Sequence, residues 1–201
     1  MTTSLRRRLR AISLLAAPLA IALAPAGARA QVLPAAPVAS GEITFAVTVG
    51  NAPNFTGHVP FSEAAFSGAQ LAAAQGHAVV RVADMRTGIG LRDHHMRNAM
   101  EADSFPLIRF ELLGVTPGAA RGDTVEVSCR GRLTLHGQTR DVAAPGSVVI
   151  GAGTVEFTAT FPVDMTQYGI KPPTRFFGAV KVQPVVNLTA HLRFGAAAAA
   201  P

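Results

Sequence analysis

The chain has 201 residues, 18 of them Lys or Arg and 12 Asp or Glu, for a formal charge of +6. Five of the arginines (Arg6, Arg7, Arg8, Arg10 and Arg29) fall in the first thirty residues, which leaves 13 basic against 12 acidic side chains beyond them. That balance excludes a basic surface for nucleic acid, and a single cysteine, Cys129, excludes an internal disulfide.

Residues 1–30 read as a secretory signal. "RRRLR" is followed by an apolar run broken by Pro18, Pro25 and Gly27, and "ARA" supplies small residues at a cleavage site after Ala30. The apolar run is too short and too interrupted for a membrane span, so the expectation is an exported, periplasmic protein without a stable membrane anchor. "RRRL" also fits the twin-arginine route loosely, so Sec and twin-arginine export both stay open. Residues 31–40, "QVLPAAPVAS", read as a Pro/Ala linker, and residues 196–201 as a low-complexity tail. Between them, residues 41–195 are enough for one domain that buries roughly two thirds of its unfolded surface.

The dominant period in that domain is two. "ITFAVTV" places Ile43, Phe45, Val47 and Val49 on one side of a strand. "VEFTATFPV" does the same with Val155, Phe157, Ala159, Phe161 and Val163, and "VVNLTAHLRF" with Val186, Leu188, Ala190, Leu192 and Phe194. Clean alternation means one buried and one wet face, hence antiparallel pairing. Turn signals at "GNAPN", "AAQGH", "TPGAARGD", "LHGQTR" and "IGAGT" divide the domain into about eight strands, which suits a barrel or a sandwich. Cys129 falls in phase with Val125, Val127, Leu133 and Leu135 and reads as a small buried hydrophobe. A homodimer, with or without a disulfide through it, stays open.

One segment breaks the rule. From Arg92 the spacing turns helical, with Arg92, His95, Met96, Ala99 and Met100 on one face and Asp93, His94, Arg97, Asn98 and Glu101 on the other. Asp93, Arg97 and Glu101 stand at i, i+4 and i+8, which predicts two helical ion pairs. Pro106 disfavours a helical Phe105 and ends the helix before it. The expectation is a short amphipathic helix between two strands, its Met face inward.

This helix starts in "GLRDHHMR", where two histidines, an aspartate and two arginines invite a metal or an active site. Adjacent histidines on a helix diverge by about 100° and do not converge on one ion. A helical zinc pair needs i, i+4 spacing, but Leu91 and Ala99 occupy those positions around His95. No nucleophile elbow, phosphate loop or framed carboxylate pair is present. No metal, cofactor or catalytic residue is therefore assigned.

Three motifs in order are similar to the landmarks of the YceI-like family: "RTGIGLRDHHMR", "FPLIRFEL" and "GRLTLHGQTRDV". Thr87, Gly88, Arg92, Asp93, His95 and Arg97 match the first. Pro106, Ile108 and Phe110 match the second, and Gly131, Leu133, Thr134, His136, Gly137, Thr139 and Arg140 the third. His94 falls on a variable position. "DMTQYGI" resembles a later landmark through Tyr168, Gly169 and Ile170, so the likeness spans residues 41–194. Departures are the short "NAMEADSFP" after Arg97, where the family has an aromatic pair, and the absence of tryptophan.

The resemblance implies an extended, eight-stranded antiparallel lipocalin-like barrel with one inserted helix, exported, whose interior in some members holds a long isoprenoid chain. It implies a non-catalytic carrier or store for an isoprenoid or quinone-like lipid. The expected apolar lining is Phe45, Val47, Phe110, Leu133, Leu135, Phe157, Phe161, Val182 and Leu188, with small Gly131, Ala159, Ala179 and Ala190 between. Arg92, His95, Arg97 and Arg140 are candidates to meet a polar head at the rim. Two other readings stay open: a His/Asp enzyme, with or without a metal, and a barrel filled by its own side chains.

Overall fold

The structure is a computed structural model, and it describes residues 38–68, 70–151, 153–175 and 179–195. The export signal, its cleavage site, most of the linker and the tail lie outside the described residues.

Eight long strands form one closed antiparallel barrel: β1 (Val38–Gly50), β2 (Phe55–Ser67), β3 (Gln75–Arg81), β4 (Leu107–Arg121), β5 (Thr124–Leu135), β6 (Gln138–Ile150), β7 (Thr154–Asp164) and β9 (Val180–Gly195). Each pairs with its predecessor, and β9 returns to β1 with Phe45 opposite Leu188, which closes the ring and leaves no free edge. A two-residue strand, β8 (Thr174–Arg175), pairs with the start of β9 outside that ring. The helix α1 (Gly90–Ala99), between β3 and β4, is the one α-helix among the described residues.

The alternation carries the walls. In β5 every second residue from Val125 to Leu135 is buried, Cys129 among them, so that thiol is not on the surface for a disulfide between chains. Burial pushes the thiol pKa up to about 11, which keeps it protonated and unreactive. The hairpin between β5 and β6 has only two turn residues, His136 (φ 50°) and Gly137 (φ 72°), a pair of positive φ angles that suits the twist of the flanking strands.

Several turn signals proved narrower than read. "TPGAAR" continues β4 through a register shift between Pro117 and Ala120, and only Gly122 and Asp123 form the turn. The register shift falls directly after Pro117, which has no N–H to give to the ladder. Likewise Gln75, Gly76 and His77 already belong to β3.

Candidate functional site

The helix sits at the end of the barrel where β3 stops and β4 begins. Two backbone hydrogen bonds, His58 N to Arg86 O (2.8 Å) and Arg86 N to His58 O (2.9 Å), first pin the preceding segment to β2. Thr87 is thereby fixed, and its backbone N–H (2.8 Å) and hydroxyl (2.6 Å) both donate to one oxygen of Asp93. Asp93 is only 5% exposed. The Thr87 hydroxyl, helped by its backbone N–H and the charges of Arg86 and Arg97, holds the carboxyl below its ordinary range against the opposing cost of burial.

This anchoring replaces the predicted ion pairs. Asp93 binds Thr87, and Glu101 turns out of the helix with φ 47° to approach His136 Nε2 at 3.5 Å. The helix also starts two residues before Arg92. It ends at Ala99, earlier than Pro106 alone requires, and turns lead on to Phe105, whose N–H bonds Glu101 O.

Below the helix the barrel encloses a cavity of about 1520 Å³. All nine side chains expected as apolar lining (Phe45, Val47, Phe110, Leu133, Leu135, Phe157, Phe161, Val182 and Leu188) line it, from β1, β4, β5, β7 and β9. Ala159 and Ala190 line it as expected, whereas Ala179 lies in the turn before β9. All five residues of the helical face, Arg92, His95, Met96, Ala99 and Met100, line the cavity at the helix end. Leu71 and Ala74, on the connection from β2 to β3, line the other end beside Phe66 and Phe194, whose rings meet edge to face at 5.3 Å.

The walls are smooth for a specific reason. The Phe45 ring lies over Gly57 on the adjacent strand, so closely that a Cβ there would collide with it. The Phe110 ring lies over Gly131 in the same way. Rings laid against the wall bury their faces on backbone rather than on each other across the lumen.

Of the four rim candidates the structure brings two to the cavity. Arg92 sits with its guanidinium 4.4 Å from the Phe55 ring centre, and His95 lies one turn along. Arg97 and Arg140 do not line it. Arg97 acts on Asp93, while Arg140 donates from Nε to Gln167 O (2.6 Å) and lies 5.8 Å from the ring of buried Tyr168. Arg140 thus fastens the 3-10 turn Met165–Tyr168. Sequence reasoning missed lining from β2, β3 and β6, such as Val59, Phe61, Val80, Ala144 and Val148. In β2 the signal was available, since Phe55, Gly57, Val59 and Phe61 alternate with polar residues and Pro60. Among the described residues no three His, Cys, Asp or Glu side chains group closely enough to hold a metal ion. His94 points away from the cavity end, 3.2 Å from Asn98.

A closed up-and-down barrel with one apolar lumen, capped by a helix, defines the class: a hollow lipocalin-like β-barrel. Residues 36–194 match the YceI-like domain, and the chain belongs to that family. The fold is shared with BcnA of Burkholderia cenocepacia, at TM-score 0.60 and 18% identity, covering 76% of this chain and 95% of that one. It is also shared with a polyisoprenoid binding domain from Saccharophagus degradans, implicated in plant cell wall breakdown (TM-score 0.62, 14% identity, 81% of this chain and 99% of that one). A Campylobacter jejuni YceI protein is similar at TM-score 0.58 and 14% identity, over 74% of this chain and 88% of that one. No curated protein matches the chain by sequence.

Proposed function

We propose that this protein binds a long isoprenoid or similar amphiphilic lipid in its barrel and carries or stores it in the periplasm without chemical change. The observation that carries this reading is the cavity, whose volume of about 1520 Å³ exceeds the roughly 300–1,000 Å³ of ordinary small-molecule pockets. A barrel filled by its own side chains would have no such space.

Shape narrows the ligand. Cavity-lining residues run along β9 from Val180 to Phe194. At about 3.3 Å per residue and a tilt near 40°, that run spans about 35 Å along the barrel. The hydrocarbon core of a bilayer is about 30 Å thick and is filled by two opposed chains, so the lumen suits a chain about twice as long as one fatty acyl. Each buried CH₂ contributes about 0.8 kcal/mol, which makes a dry apolar tunnel sufficient without any reacting group. The Saccharophagus domain of the same fold is a polyisoprenoid binding domain, which agrees with a long-chain ligand. In this reading Arg92 and His95, which line the cavity at the helix end, meet the polar head, whether a phosphate or a quinone ring.

The test is native mass spectrometry of the protein purified from its own periplasm, followed by solvent extraction. A discrete mass excess that extracts as an isoprenoid or quinone is the expected result. A protein that carries nothing and also refuses added prenyl chains would exclude the carrier.

A further inference from the structure

The rim of the cavity at the helix end has a composition unlike the rest of the domain. Three of the segments that border it are residues 50–55 between β1 and β2, residues 87–92 leading into α1, and residues 170–175 with 179–181 around β8. Together they contain no Asp or Glu, in a domain that is otherwise close to neutral. They contain Arg92, Lys171, Arg175 and Lys181, and the two lysines are exposed.

On this acid-free rim stand Ile89, 50% exposed, and Leu91, 67% exposed, the two most exposed large apolar side chains among the described residues. Both also line the cavity, so their surface is continuous with the lumen. Ile89 is the N-cap of α1, a position where Ser, Thr, Asp or Asn is favoured, and its side chain makes no capping bond. Asp93 instead reaches back to the N–H and hydroxyl of Thr87, which fastens the helix start without any polar group at residue 89. Gly88 and Gly90 on either side face open space, so nothing in the barrel shelters the pair. Isolated exposed apolar residues need no explanation, but a pair on a cavity rim that carries cations and no acid does.

We propose that this rim is a docking surface for an anionic lipid bilayer. Ile89 and Leu91 enter the interfacial layer, Lys171 and Lys181 meet the anionic head groups, and the cavity opens against the membrane so that a chain can pass without crossing water. The role in loading rests on the lipid-binding reading above, whereas the docking itself does not.

The experiment is flotation of the mature protein with vesicles of phosphatidylcholine alone or mixed with phosphatidylglycerol, at low and high salt. Anionic vesicles should capture the protein about tenfold better, and raising salt should erase most of that difference. The Ile89→Ser/Leu91→Ser variant should lose at least about tenfold in capture while melting with the wild type, because both positions are exposed. Lys171→Gln/Lys181→Gln should lose about fivefold per charge at low salt only, with the lipid content of the purified protein unchanged. A wild type that stays off anionic vesicles at low salt overturns the proposal, as does a serine variant captured as well as the wild type. If the serine variant instead splits a dimer in light scattering with capture unaltered, a second copy covers the rim and the proposal fails. A protein that floats yet never holds a prenyl chain sinks the carrier and leaves the docking standing. One that holds lipid and never floats does the reverse.

Discussion

At the scale of single residues, the cluster that invited a metal turns out to be two separate devices. The His94 and His95 rings stand tilted with centres 6.0 Å apart, and only His95 reaches the cavity. Asp93 is the one buried charged residue among those described, and it anchors the helix to Thr87. Spacing suggested Arg97 and Glu101 as its partners because i+4 is visible in a sequence, whereas the pinning of residue 86 to β2 is not. The anchor should be sensitive to pH. The folded-state pKa of Asp93 is depressed, so its stabilisation is complete above the unfolded value of about 3.9 and disappears as pH falls through the lower folded value. Asp93→Asn should cost about 1–3 kcal/mol at neutral pH, because two donors face a weaker acceptor. Urea midpoints for the two proteins should then converge below about pH 4. A gap that stays constant down to pH 3 would show that the charge of Asp93 does nothing for the fold.

At the scale of elements, period-two alternation made β1, β5, β7 and β9 readable because each has one wet and one dry face. In β2 the same alternation is present but weaker, with Gly57 at an inward position and Pro60 among the outward ones, and in β4 a turn signal at Pro117 hid its continuation. No local pattern could show that β9 returns to β1, since closure is a property of all eight strands together. The glycines on the inward faces look like weak points in a strand, yet their use lies in the neighbouring strand's ring. Gly131→Ala should therefore behave unlike a usual gain in β-propensity. Its Cβ would strike the Phe110 ring and the Glu111 carbonyl, and it should cost about 1–3 kcal/mol by overpacking. A crystal structure of the variant should show the ring swung toward the lumen. A variant that melts with the wild type and leaves Phe110 unmoved would refute this account of the wall.

At the scale of the whole molecule, the question is why a barrel rich in phenylalanine is hollow. Side chains that alternate inward along eight strands can fill a barrel of this size completely. Here the rings of Phe45 and Phe110 lie along the wall, and at mid-height Ala159 on β7 pairs with Ala190 on β9, which in turn faces Ile43 on β1. Two adjacent alanines leave the waist of the lumen open, and both line the cavity. Ala190→Phe should close that waist while the outer faces and the strand register stay as they are. For the wild type, a prenyl lipid at about a hundred times its Kd should add about 2.7 kcal/mol of stability. In a chain of this size that raises the melting temperature by roughly 5–10 °C. Ala190→Phe should fold, melt near the unliganded wild type, and show almost no shift when the lipid is added. If it keeps the full shift, the chain does not run through the waist, and the ligand would then be confined to the half of the cavity beneath the helix.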